Sequence, residues 1–185
     1  MGGVVRDNPQ RPAPAAILAQ IVTIEVFYWS FDGQKRSAML EINRAVESDV
    51  RSFFTVAWGL NFPIDKVICA ADTPYFWDDG LMMAANATSG FNYRKIADSD
   101  VVSEHGFGRA IDINTRLNPY IRYKDGARLV APAGAEWDPR VPGTLCGDHP
   151  LVIHMEALGW SWGGNWAPET RGAIDYQHFE KPAAN

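Results

Sequence analysis

"SEHGFGRAIDIN", residues 103–114, sets a histidine seven residues ahead of an aspartate, with two glycines and an alanine between them. Two readings compete: a glycine-rich turn leading into a strand, or two ligands of one metal ion. The run "AIDIN" reads as a short strand carrying Asp112, and His105 lies in the glycine-rich turn before it, so the turn and strand can fold the chain back on itself. Gly106 and Gly108 let the backbone come close, and Ala110 leaves room beneath an ion. His105 and Asp112 can then point at one place. A catalytic zinc ion usually has three protein ligands and leaves its fourth position to water, so a third ligand is expected from elsewhere.

The chain has four histidines, which keeps the candidates few. His178 is the natural third, because it stands in "DYQHFE" three residues after Asp175, and a carboxylate beside an activated water is what metal-assisted hydrolysis needs as a general base. Glu104 is the rival base, but alternation next to His105 turns it away. His149 and His154 fall on a predicted helix and read as structural, with His154 a minor alternative as third ligand. Trp160, Trp162 and Trp166 read as core packing, and Trp162 and Trp166 are assigned no ligand contact. Arg116, Arg122, Lys124 and Arg128 make a locally basic stretch that reads as a solvated hairpin face.

Working outward, residues 1–14 are rich in Gly, Pro and Arg and read as a flexible arm, with one domain over 15–185. A strand is expected over 21–28, and steps of three and four from Met39 through Ile42, Val46, Val50, Phe53 and Ala57 predict a helix ending near Gly59. "KVICAAD", "FNYRKI" and "GRAIDIN" read as short strands, "DDGLMMAANAT" as a loop with a helical turn, and "LNPYIRYKDGARLVAP" as a hairpin turning at its DG pair. "DHPLVIHMEALGW" predicts a second helix with Asp148 as N-cap, Pro150 in the first turn and Gly159 as its stop. Strand, helix, short antiparallel strands and helix in that order indicate an α+β fold: a small antiparallel sheet with flanking helices.

The net charge of −5 argues against broad nucleic-acid binding and favours a small or peptide ligand. Cys69 and Cys146 are too few for a disulfide framework; they read as two buried thiols, with a single disulfide between them the alternative for a protein that works outside the cytoplasm. The longest apolar run, 14–31, contains Gln20 and Glu25 and is β-branched in its middle, so it is not a transmembrane span. No signal-peptide pattern opens the chain.

With these motifs in place, the sequence resembles a known family. "SEHGFGRAIDIN" matches the Ser-x-His-x-x-Gly-x-Ala-x-Asp motif of the zinc D-alanyl-D-alanine carboxypeptidases and L-alanyl-D-glutamate endopeptidases, which cut peptidoglycan stem peptides. "WSWGGNW" followed by "DYQHFE" is similar to the closing motifs of the endopeptidase branch, which includes phage endolysins; the likeness covers roughly residues 65–181. The resemblance implies the zinc fold shared by these DD-peptidases and the Hedgehog signalling domain, and one zinc ion on His105, Asp112 and His178, with Asp175 as catalytic base. It sets Ser103 beside the metal, hydrogen-bonded to a ligand or the substrate, and makes Arg94, in "SGFNYRKI", the arginine that polarises the scissile carbonyl and steadies the oxyanion. One departure is Asp175, where the dipeptidase and many carboxypeptidase branches use glutamate, so the backbone must bring the shorter side chain closer. The implied partner is peptidoglycan or its peptides, met by a monomer acting outside the cytoplasmic membrane. The rival from another class is a non-catalytic binding module that keeps this fold and its zinc for structural reasons.

Overall fold

The computed structural model describes residues 5–97 and 99–183. In chain order the elements are α1 (Ala15–Leu18), β1 (Ile21–Trp29), β2 (Lys35–Asn43), α2 (Glu47–Gly59), β3 (Lys66–Val67), α3 (Asp79–Ala84), β4 (Ala87–Thr88), β5 (Ala110–Asp112), β6 (Tyr120–Lys124), β7 (Ala127–Ala131), α4 (Pro150–Ala157), β8 (Ser161–Trp162), α5 (Pro168–Arg171), β9 (Ala173–Asp175) and β10 (His178–Glu180).

Alternation in β1 buries Ile24, Val26 and Tyr28 and exposes Glu25 and Phe27, and antiparallel pairing with β2 runs from Ile21↔Asn43 to Trp29↔Lys35. β2 corrects the expectation of a helix from Met39. Met39 and Ile42 lie in the second arm of this hairpin, and the helix itself begins at Glu47. The three-and-four spacing ran across a strand because Leu40 and Ile42, two apart, both face the core, as do Val50, Phe53, Phe54 and Ala57 of α2. Asn43 makes the break: its side-chain oxygen accepts from the Ala45 N–H at 3.0 Å, capping a short 3-10 turn that feeds α2.

The antiparallel strands do not form one sheet. They divide into the hairpin β1-β2, the triplet β5-β10-β8 and the triplet β7-β6-β9, with β3 and β4 a small parallel pair. The core joins α2 and α4 through Val50, Phe53, Leu151 and Met155 and continues under the β5-β10-β8 sheet through Ile111, Trp162 and Phe179. Sheet and helix therefore share one apolar mass, on whose polar side β5 and β10 lie next to each other.

Three other expectations shift. "KVICAAD" pairs only over Lys66–Val67, because Asp72 turns the chain back by accepting from the Cys69 N–H at 2.9 Å. "FNYRKI" forms no ladder: its N–H groups go to different neighbours, Phe91 to the Glu41 carbonyl and Asn92 to the His105 carbonyl, with one bridge between Lys95 and Val102. The N-cap of α4 is His149, whose Nδ1 accepts from the Leu151 N–H, while the Asp148 carboxylate accepts from the Cys146 thiol. The hairpin of β6 and β7 turns at Asp125 and Gly126, both at positive φ as the primed two-residue turn requires, and Gly159, at φ +83°, follows the end of α4. Cys69 is buried, Cys146 is half-buried, and both are free thiols. Residues 5–14 lie along the body, with Arg6 paired to Asp72 and Ala13 buried against Ile21 and Phe91.

Candidate metal centre

The quoted turn is a 3-10 helix over Glu104–Phe107 whose N-cap is Ser103; its hydroxyl oxygen accepts from the His105 N–H at 3.3 Å. Ser103 thus holds the backbone of the histidine rather than its ring. Gly108 ends the turn at φ +66°, where a Cβ would meet the Asn43 nitrogen and the Ile21 side chain at 2.7 Å each, so glycine alone lets this loop seat on the hairpin. The Gly108 carbonyl then accepts from the Asn43 N–H at 2.8 Å, tying the N-cap of the scaffold to the loop that carries His105.

Asp112 and His178 are directly opposed residues of β5 and β10. Asp112 is held at its other edge as well, where its backbone exchanges two hydrogen bonds with Ser89. The result is a buried triangle: His105 Nε2 lies 3.1 Å from Asp112 Oδ2 and 3.1 Å from His178 Nδ1, and His178 Nδ1 lies 3.1 Å from Asp112 Oδ1. Ligand bonds of about 2 Å arranged tetrahedrally place neighbouring donor atoms about 3.3 Å apart, so the edges suit a zinc-sized ion. Among the described residues these three form the group whose ligand atoms converge closely enough to hold a metal ion.

The outward faces of the rings fix what the inward faces offer. His105 Nδ1 lies 2.7 Å from the Gly90 carbonyl, which can only accept, so the proton sits on Nδ1 and Nε2 turns its lone pair inward. His178 Nε2 donates to Glu180 Oε2 at 3.2 Å. With both outward N–H groups used, two imidazole nitrogens and a carboxylate face one another across the centre, an arrangement that calls for a positive charge. The electrostatics agree. Burial works against an imidazolium at His178, but the Asp112 and Glu180 carboxylates outweigh it and hold its pKa raised. Burial likewise opposes the Asp112 carboxylate, and the His105 and His178 rings overcome it and hold its pKa low. The donor set therefore fits a divalent cation, and each histidine has an oxygen partner on its outward nitrogen that turns the other ring nitrogen toward the centre.

Asp175 ends β9 and stands outside this triangle. Its Oδ1 is buried and has no hydrogen-bond partner. Burial above all raises its pKa, with Asp112 and Asp79 adding to it against the pull of His178 and Arg94. Gly163 of "WSWGGNW" explains how the shorter acid is seated: a Cβ there would come within 2.5 Å of the Asp175 carbonyl oxygen. Gly164 lies so flat on the Trp162 ring that a Cβ would reach it at 2.3 Å, and Trp162 itself is core, its indole N–H donating to the Tyr176 carbonyl at 2.9 Å.

Arg94 pairs with Asp79 of α3 at 3.1 Å and is felt by Asp175, while its Nε is buried without a partner. Trp166 sits with its ring 5.4 Å from that of His178, and the Arg171 guanidinium lies 4.9 Å over it. Glu104 contributes nothing to the triangle, and burial, then Glu180, raises its pKa. His149 caps α4 and His154 Nε2 lies 2.8 Å from the Ser52 hydroxyl, so both are structural.

Sequence reasoning overlooked Gly90, Glu180 and Asp79, which position His105, His178 and Arg94. It also passed over Asn92 and Gln177, both buried with side-chain atoms lacking partners. Glu180 had a signal, since a carboxylate two residues beyond a ligand on a strand shares its face; a backbone carbonyl such as that of Gly90 leaves none.

Residues 97–181 match the model of a family described as D-alanyl-D-alanine carboxypeptidase. The span contains His105, Asp112, Asp175 and His178 and begins three residues after Arg94. It supports a hydrolase of the peptidase kind. None of the curated proteins and none of the solved structures compared with the chain matches it.

Proposed function

We propose that the chain is a zinc metallopeptidase that hydrolyses an amide bond in peptidoglycan stem peptides, with His105, Asp112 and His178 as the ligands of one zinc ion. The observation that carries this reading is the separation of two kinds of acid in one buried site: Asp112 inside the three-acceptor triangle, and Asp175 beside it with an oxygen left open. A structural zinc site closes its fourth position with protein; this one offers three ligands and a neighbouring base. When bound, the ion supplies Lewis-acid chemistry, lowering the pKa of a water and polarising the scissile carbonyl.

The residues divide the remaining work. Asp175, whose raised pKa suits an acid that both takes and returns a proton, removes the proton of the attacking water and delivers it to the leaving amine. Arg94, held by Asp79 and short of one partner at Nε, turns a fixed positive charge toward the developing oxyanion. Ser103 keeps the His105 backbone in register, and Trp166 closes the flank beside His178 and limits water. The likeness of "WSWGGNW" and "DYQHFE" to the endopeptidase branch favours the L-Ala-D-Glu bond over the D-Ala-D-Ala bond, and a cell-wall substrate places the activity outside the cytoplasmic membrane.

Digestion of purified muropeptides by the zinc-loaded protein, with products identified by mass, tests the reading. The expected product set contains free L-Ala ends and D-Glu amino termini. Release of D-Ala alone would move the cut to the carboxypeptidase bond, and intact muropeptides would leave only the binding-module reading.

A further inference from the structure

Resting on that reading, we infer that Asn92 determines specificity by pairing its side-chain amide with a peptide unit of the substrate next to the scissile bond. The residue is 3% exposed, yet neither its Nδ2 nor its Oδ1 has a hydrogen-bond partner. A buried amide open at both ends is costly, and native proteins seldom keep one without a use for it. The other asparagines of the interior show the contrast: Asn114 and Asn118 spend their amides on the carbonyls of Pro63, Gly143 and Ile113.

The backbone sets the direction of the side chain. Segment 90–94 runs beside the His105 turn, with the Gly90 carbonyl on His105 Nδ1 and the Asn92 N–H on the His105 carbonyl at 3.1 Å. Phe91 is buried with Ala13 and Ile21, and Tyr93 packs against the same cluster. In an extended segment the intervening residues face the other way, so Asn92 shares the face of Arg94, which meets Asp79 and is felt by Asp175. Open atoms recur on residues around the site, Arg94 Nε and Asp175 Oδ1 and also Gln177 Oε1, one residue before His178. Gln177 is partly engaged, its Nε2 lying 3.7 Å from the Met83 sulfur, which leaves Asn92 as the fully free amide. One donor group and one neutral acceptor side by side complement the N–H and C=O of a peptide unit and suit a free carboxylate poorly.

The test uses the zinc-loaded full chain, a synthetic stem pentapeptide, and its ester analogue in which the amide flanking the scissile bond has lost its N–H. Wild type should prefer the amide substrate. Asn92→Leu, close in volume, should lower kcat/KM on that substrate by about 10- to 100-fold, abolish the preference over the ester, and keep zinc content and melting temperature at or above wild type, since a structural amide would instead lose stability on this change. Asn92→Ala should show the same loss of preference. Unchanged kcat/KM, an equal loss on amide and ester, or a fall in melting temperature that accounts for the lost turnover would overturn the inference while wild-type cleavage still upheld the peptidase reading. Wild type that cleaves neither peptide would sink both.

Discussion

The triangle of His105, Asp112 and His178 and the wall inferred from Asn92, Arg94, Asp175 and Gln177 are opposite in bonding. Each residue of the triangle has its outer atoms engaged, His105 with Gly90, His178 with Glu180 and the Asp112 backbone with Ser89. On the wall, buried polar atoms are left open. Groups that hold an ion have to be oriented before it arrives, because a mobile ligand weakens binding. Groups that work on a passing substrate have to keep bonds in reserve for it.

Substitution within the triangle should have the largest effect. His105→Ala removes a ligand and leaves Asp112 and His178 facing each other, so it should lose most bound zinc and lower the melting point by about 5 °C or more, read by metal analysis and thermal denaturation. Retention of one zinc per chain would take His105 out of the site. On the wall, Arg94→Ala should lower kcat by about 10²- to 10³-fold and change KM little, because the lost interaction belongs to the transition state. A normal kcat would reduce Arg94 to the partner of Asp79.

Smaller effects probe the boundary between the two regions. Glu180→Ala frees the outer nitrogen of His178 without touching a ligand and should weaken zinc affinity by about 10- to 100-fold in chelator competition. Equal affinity would mean that β10 alone orients the ring. Glu41 supplies the control for open atoms, since its Oε2 is also buried without a partner, but it lines a separate cavity of about 330 Å³ with Met39, Val67, Cys69 and Asp72. Burial raises its pKa to about 7 against the softer pull of Arg6. The folded value lies above the unfolded one, so the penalty is absent below the unfolded pKa, grows as pH rises toward 7 and is complete above it. Glu41→Gln should therefore gain about 1–3 kcal/mol over wild type at pH 8, nothing at pH 4, and leave turnover unchanged. A loss of turnover would extend the working wall to that cavity.

The grouping of His105, Asp112 and His178 was legible because few residue types can hold a metal and the chain has only four histidines, two of them in motifs that strand pairing brings together. The second arm of the first hairpin was not: Leu40 and Ile42 face the core in strand register, and their neighbour Met39 happened to complete a helical spacing with Val46 and Val50. The division of the strands into several small sheets was hidden for a related reason, since alternation tells which face is buried and not which strand lies alongside. Asn92 was illegible in principle. Its significance lies in hydrogen bonds it does not make, which only the packed structure shows.

The division between closed triangle and open wall is tested most directly by measuring zinc content and muropeptide hydrolysis side by side on Asp175→Asn. This change keeps the shape of the side chain and removes its capacity to take a proton. One zinc per chain and a wild-type melting curve should persist while hydrolysis falls by about 10²- to 10⁴-fold, the usual contribution of general acid-base catalysis. Loss of zinc together with activity would make Asp175 a ligand, and undiminished hydrolysis would hand the proton to another group; either result would contradict the assignment of Asp175 to the wall.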